Sequence, residues 1–198
     1  MMGQERMTTP KITLLRHDSH RRMPWKNGGG ETVEIAVSPD GAGLADFDWR
    51  VSMATVATDG PFSIFPGIDR TLSILDGEGM TLFIEGRAPE RLTQASEPLP
   101  FAADAPTSAT LIDGTITDLN VMTRRGRFTH SVRRVSVDGQ GEVAFGGGTT
   151  LVLCHHGSAE IDGMALDAGD CLLVSNTDAA RRPISGKAQL FQITIAAI

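Results

Sequence analysis

Leu151-Val152-Leu153-Cys154-His155-His156-Gly157, then Ala159-Glu160-Ile161-Asp162-Gly163, then Met164-Ala165-Leu166-Asp167-Ala168-Gly169-Asp170-Cys171-Leu172-Leu173-Val174 read as strand, glycine turn, strand, glycine turn, strand. Each apolar stretch is too short for a helix of three turns, and β-branched residues sit where a pleated surface wants them. An earlier stretch, Leu72-Ser73-Ile74-Leu75-Asp76-Gly77 followed by Leu82-Phe83-Ile84-Glu85-Gly86, has the same plan. Two copies of one strand-and-turn unit in a chain of 198 residues predict a duplicated all-β architecture.

The rest of the chain agrees with a period of two. In 31–37, Val33, Ile35 and Val37 alternate with Thr32, Glu34 and Ala36; in 48–57, Trp49, Val51 and Met53 alternate with Arg50, Ser52 and Ala54. Strands are expected at 11–16, 70–75, 80–85, 110–112, 119–122, 131–137, 142–145, 149–155, 159–161, 171–174 and 190–195, and a hairpin turn at Asp76-Gly77-Glu78-Gly79. Arg87–Ser108 carries four prolines and little pattern and reads as a long surface connection. The net charge of −6 argues against a nucleic-acid partner, which a basic face would have to hold. Cys154 and Cys171 lack a CxxC spacing and read as buried free thiols. No apolar run reaches the ~20 residues of a membrane span and no secretion-signal pattern opens the chain, so a cytoplasmic protein with no membrane partner is expected.

The stretch Met23-Pro24-Trp25-Lys26-Asn27-Gly28-Gly29-Gly30-Glu31-Thr32 sets an indole, a cation and an amide before three glycines. Such a loop serves either as a flexible hairpin connection or as a rim that lets a ligand approach the backbone. Elsewhere, polar groups share strand faces: Thr32 with Glu34, Arg50 with Ser52, Asp118 with Asn120, with Asp69-Arg70 after a Pro-Gly turn and Arg125 nearby. Facing a barrel interior they would hold a small polar anion; facing water they would be an ordinary solvated sheet face. Metal binding is not expected. None of the histidines forms His-x-His, His17 and His20 read as exposed loop residues, and the adjacent His155 and His156 would point to opposite faces of a regular strand.

The run Leu166-x-x-Gly169-Asp170-x-x-x-Val174 resembles the turn by which cupin barrels pass from one sheet to the other. The chain as a whole resembles the HutD/Ves family. The resemblance runs through Leu14-Leu15-Arg16, the Met23–Thr32 stretch, Phe47-Asp48-Trp49-Arg50-Val51-Ser52-Met53-Ala54, Asp59–Arg70 and Asp118–Arg124, and is looser in the C-terminal half. It implies a bicupin, a duplicated cupin-like β-barrel (RmlC-like jelly roll), which we divide into barrels at 11–118 and 119–198 packed as one unit, with 1–10 frayed. For HutD-like members it also implies a link to histidine utilisation through a bound intermediate such as formylglutamate or urocanate; Ves-like members are associated with environmental stress. We therefore expect a non-catalytic binder of a small carboxylated metabolite, without cofactor or metal, with a homodimer left open. Two alternatives stay open: a metal-independent isomerase or hydrolase using Glu34, Asp69 and Asp118, and a protein-interaction module in stress response. The expected ligand-binding residues are Trp25, Lys26, Asn27, Thr32, Glu34, Arg50, Ser52, Asp69, Arg70, Asp118, Asn120 and Arg125, with Trp25, Asn27, Thr32, Arg50, Arg70, Asp118 and Asn120 converging in one cavity.

Overall fold

The computed structural model describes residues 11–26, 28–177 and 180–198. In chain order its strands are β1 (Lys11–Leu15), β2 (Arg21–Pro24), β3 (Gly30–Ser38), β4 (Trp49–Val56), β5 (Gly60–Pro61), β6 (Ile68–Asp76), β7 (Met80–Ile84) and β8 (Glu90–Leu92). They continue as β9 (Leu99–Ala102), β10 (Thr107–Leu111), β11 (Ile116–Arg124), β12 (Phe128–Phe145), β13 (Gly148–Ile161), β14 (Met164–Asp167), β15 (Cys171–Thr177) and β16 (Ala180–Ala197). The helical element among the described residues is a 3-10 turn at His17–Ser19, so none is long and apolar enough to cross a membrane.

Two compact units result: His17–Arg133 with the last two residues, and Arg134–Ala196 with the N-terminal segment up to Arg16. This differs from a division after residue 118, because that cut would fall inside β11, which is hydrogen-bonded along its length between β4 and β6. The N-terminal strand also goes elsewhere than expected: β1 pairs with β15, Ile12 opposite Val174 and Leu14 opposite Leu172.

In the His17–Arg133 unit, the antiparallel sheet β2-β3-β4-β11-β6-β9 and the smaller sheet β5-β10-β7-β8 supply one core. Ala54, Leu72, Ile74 and Ile116 of the first meet Met80, Leu82, Ile84 and Ala109 of the second. In the Arg134–Ala196 unit the sheet β1-β15-β13-β16-β12, with β14 beside β13, closes over Val152, Cys154, Ile161, Leu166, Leu172 and Leu190. Both cysteines are buried free thiols. Burial pushes Cys154 up to about 11 and Cys171 higher still, which leaves them unreactive thiols.

Three local readings change, each for a backbone reason. Ile35 is an extra residue in β3, so the register slips between Glu34 and Ala36 and Val37 turns onto the face of Thr32 and Glu34. A second slip between Cys154 and His156 brings the His155 and His156 rings to 3.7 Å between centroids, where a regular strand would part them. The segment 87–108 is not a plain surface connection: it contains β8, β9 and the start of β10, and Phe101 of β9 is 4% exposed. His17 is exposed as expected, but His20 is buried.

The glycines at 28–30 form the tight turn between β2 and β3, with the Gly28 amide on the Trp25 carbonyl and the Trp25 amide on the Gly30 carbonyl. Gly28 sits at φ +72, and a Cβ on Gly30 would lie 2.1 Å from the Thr55 carbonyl oxygen and 3.0 Å from the Trp25 ring. Gly30 is thus small for packing. Gly28→Ala should cost about 1 kcal/mol of unfolding free energy, the penalty of a side chain in the left-handed region. Gly30→Ala should cost about 3 kcal/mol, because β3 and β4 must part to admit the methyl. Urea unfolding of the two variants ranks them, and equal costs would contradict this account.

Candidate functional site

The register of the larger sheet in the His17–Arg133 unit lines up polar side chains across four strands. One row runs Val37, Arg50, Met122, Arg70 and Phe101; the next Glu34, Ser52, Asn120, Leu72; the next Thr32, Ala54, Asp118, Ile74. Side chains two apart on a strand share a face, so all three rows lie on the face that meets the core. Thr32, Glu34, Arg50, Ser52, Arg70, Asp118 and Asn120, spread over nearly half the chain, are brought together in this way. Trp25 joins them by donating Nε1–H to Thr32 Oγ1 at 2.8 Å and packing against the same core.

The charges on this face are buried. Arg50 (6% exposed) donates Nε–H to Glu34 Oε2 at 2.6 Å, and Arg21 approaches Glu34 from outside at 3.8 Å. That bond is the one the described residues offer the Arg50 guanidinium. Arg70 is 5% exposed and its Nε has no hydrogen-bond partner among the described residues. Its guanidinium carbon instead lies 5.3, 5.5 and 5.7 Å from the ring centroids of Phe62, Phe65 and Phe101. Such contacts steady a cation but satisfy none of its N–H groups. Burial lowers Arg70 to about 10, partly offset by the charge of Asp118 and reinforced by that of Arg50. Asp118, 1% exposed, accepts a 2.5 Å bond from Asn120 Nδ2. Burial pushes its carboxyl up to about 7 against the opposing pulls of Arg70, Asn120 and the Ala54 backbone.

The remaining predicted residues lie elsewhere. Asp69 is on the opposite sheet face from Arg70, and Arg125 bonds it at 2.8 Å while gripping both carboxylate oxygens of Asp104 at 2.9 and 3.1 Å. Arg125 therefore ties the segment after β9 to β6 and does not enter the inner face. Lys26 is exposed on the β2–β3 turn. Asn27 lies outside the described residues. Among those residues no group of three or more His, Cys, Asp or Glu side chains could hold a metal ion.

One residue escaped the sequence reading. His130, on β12, hydrogen-bonds Thr71 Oγ1 through Nε2 at 2.8 Å and Thr123 Oγ1 through Nδ1 at 2.7 Å. It forms the wall of a cleft of about 510 Å³ shared with Thr129, Arg87 and Arg125. Burial lowers its imidazole to about 4, with the charge of Asp69 opposing. Its partners are distant in sequence and meet only once β6, β11 and β12 are in place, so no linear pattern announces it.

The profile of the HutD family matches residues 17–192, and the chain belongs to that family. A Pseudomonas putida protein, named as an uncharacterized 21.2 kDa protein in the hutC 3' region, is 32% identical over 173 residues, covering 85% of this chain and 89% of that one. Protein Ves of Citrobacter koseri is 42% identical over 118 residues, 57% of this chain and 60% of its own. The structure of HutD from Pseudomonas fluorescens SBW25, determined in a formate condition, superposes with a TM-score of 0.81 at 33% identity, covering 94% of this chain and all of that one (100%). A cupin 2 conserved barrel domain protein from Leptotrichia buccalis superposes with a TM-score of 0.55 at 12% identity, over 83% of this chain and 88% of its own, a likeness of fold alone. The fold is thus the all-β, cupin-like jelly roll, with sheets that do not close into full barrels.

The two shifted groups predict opposite pH effects on stability. Asp118 holds its proton more tightly folded (about 7) than unfolded (3.8), so its contribution is full below pH 4 and is lost as pH rises to 7. Relative to Asp118→Asn, the wild type should lose on the order of 4 kcal/mol between pH 4 and 7. His130 binds its proton more weakly folded (about 4) than unfolded (6.5). Relative to His130→Gln, the wild type should therefore gain about 3 kcal/mol between pH 4 and 6.5. Chemical denaturation across this range measures both, and slopes of the same sign for the two pairs would refute the assignment.

Proposed function

We propose that the protein is a cytoplasmic, non-catalytic binder of a small carboxylated metabolite, held on the inner face of the His17–Arg133 unit, and that it serves histidine utilisation by sensing a pathway intermediate. The single observation that carries this reading is Arg70, a buried guanidinium whose Nε has no hydrogen-bond partner among the described residues. Buried cations with unused donors are costly unless an anion completes them. Arg50 supplies a second guanidinium on the same face, and Asn120, Ser52 and Trp25 add an amide, a hydroxyl and an aromatic wall. Family membership supports the histidine link, since one relative is named for its place beside hutC and a structural relative is HutD itself.

The ligand screen takes histidine, urocanate, formiminoglutamate, formylglutamate and glutamate. A ligand at 100 times its Kd stabilises the fold by about 2.7 kcal/mol, which for a chain of this size raises Tm by roughly 5–10 °C. Arg70→Met is the diagnostic variant. Methionine keeps the stem volume against Phe62, Phe65 and Phe101 and removes the charge, so stability should stay within about 1 kcal/mol of wild type or rise. Affinity should fall at least 30-fold, about 2 kcal/mol, as for a lost buried charge contact. Arg50→Met is the poorer test, because it strands the Glu34 carboxylate inside. No stabilisation by any of the five compounds, or full affinity in Arg70→Met, would overturn the proposal.

A second reading, a metal-independent isomerase or hydrolase, is favoured by Asp118 alone, whose carboxyl at about 7 retains a proton near neutrality as a general acid does. Conversion of any of the same compounds by chelator-treated protein, abolished in Asp118→Asn, would establish it in place of simple binding.

A further inference from the structure

Four charged side chains share the inner face of the His17–Arg133 unit, and their sum decides what can enter. Arg50 and Glu34 cancel in a 2.6 Å pair. Arg70 remains, flanked by the Arg50 charge and by Asp118. Among the described residues, the other side chains that the register adds to this face are neutral. β3 adds Thr32, β4 adds Ser52, and β11 adds Asn120 beside Asp118. β9 presents Phe101, the opposing sheet presents Met80, Leu82, Ile84 and Ala109, and Arg21 on β2 reaches Glu34 from the exposed side. With Asp118 ionised the face carries no net charge; with Asp118 protonated it carries one positive charge, the complement of a single carboxylate.

We infer, on the reading that this face binds a carboxylate, that it takes its anion together with one proton, that Asp118 is the residue which carries the proton, and that the ligand places one carboxylate, and only one, inside. The electrostatics of the face point the same way. The anion and the Asp118 carboxylate compete for the same cation, Arg70, because the charges of Asp118 and Arg70 act on each other through space, without an ion pair between them, and Arg70 Nε has no hydrogen-bond partner among the described residues. Two carboxylates beside one buried guanidinium repel each other, and the cheapest relief is protonation of the one already poised for it. Asn120 fits this role. Its Nδ2–H bonds Oδ1 of Asp118 and so holds the carboxyl in place as it gains or loses its proton. A second carboxylate on the ligand would again make the buried sum negative. It would have to lie toward the exposed side, where Arg21 and Lys26 are. Asp118 is in this sense a specificity determinant: it sets the charge of what the face accepts, and it makes occupancy fall as pH rises.

Formate is the probe, since its charge is constant above about pH 5 and its size excludes steric effects. Affinity is read from the fluorescence of Trp25 and Trp49 together and from thermal shift at pH 5.5, 7 and 8.5. Above pH 7, wild-type affinity should fall by about tenfold per pH unit, the slope of one linked proton. Calorimetry in phosphate and in Tris at pH 8 should show uptake of close to one proton per formate, a measurement that needs no variant. Asp118→Asn, neutral at every pH, should bind formate at pH 8.5 as tightly as the wild type does at pH 5.5. Binding of formate with affinity independent of pH and no proton uptake would overturn this inference and leave the carboxylate-binding reading standing. Failure of formate and all five metabolites to bind at any pH would overturn that reading itself.

Discussion

A guanidinium buried without a hydrogen-bonded carboxylate is the constraint around which the His17–Arg133 unit is arranged. Taking Arg70 out of water costs several kcal/mol, and neither the three phenylalanine rings around it nor the more distant Asp118 charge restores what its N–H groups lose. The surrounding fold holds it nonetheless. β6 lies between β11 and β9, and Arg70 is opposite Met122 on one side and Phe101 on the other, with 5% of the residue exposed. Among the described residues, the Arg50–Glu34 pair is the place on the face where a charge is directly bonded to its opposite. Any group that supplied acceptors to the Arg70 guanidinium would offset part of that cost.

The Arg134–Ala196 unit shows what the same plan becomes without that constraint. Its core is built from Val152, Cys154, Ile161, Leu166, Leu172, Val174 and Leu190, with no charged side chain in the cluster. The charged group this unit does bury, Asp170 at 1% exposure, follows the glycine of the turn before β15; it is bonded by Arg16 at 2.6 Å and by the Asp167 amide at 3.1 Å. Its role is to fasten the turn to the N-terminal strand. Two units with the same strand-glycine-strand sequence pattern thus differ in the polar side chains they bury: Thr150, Gln192 and the turn carboxylate Asp170 in one, and the charges of Glu34, Arg50, Arg70 and Asp118 in the other.

Much of this was legible in the sequence, and the limits have identifiable causes. Strand positions and the inward set Thr32, Glu34, Arg50, Ser52, Arg70, Asp118 and Asn120 follow from a period of two, which fixes the face of each residue once a neighbouring one is placed. A single inserted residue defeats the same rule. At Ile35 it moved Val37 across the sheet, and at His155 it brought two imidazoles together that alternation separates. Asp69 and Arg125 were misplaced for the complementary reason. Asp69 is one residue from Arg70 and so belongs to the other face, and Arg125 lies beyond the end of β11, where strand parity no longer governs. The strands within 87–108 were hidden because prolines on edge strands obscure the pattern, as Pro100 does on β9. His130 was hidden because its significance lies in register, not in its neighbours along the chain.

The donor set explains why arginine is suited to a barrel of this kind. A metal centre gathers anions through a small ion that needs several imidazoles or carboxylates converging within about 2 Å. On β6 the adjacent Asp69 and Arg70 go to opposite faces, and among the described residues no group of three or more His, Cys, Asp or Glu side chains could hold a metal ion. Arg70 brings its positive charge on its own stem and needs no ligands to hold it, only enclosure and a register that aims it. It presents a planar fork of donors matched to a carboxylate, and unlike a metal it does not activate water. The price is that its charge cannot be discharged by losing a ligand. Burial brings the Asp118 carboxyl on the same face to about 7, so the charge that accompanies this fixed cation depends on pH.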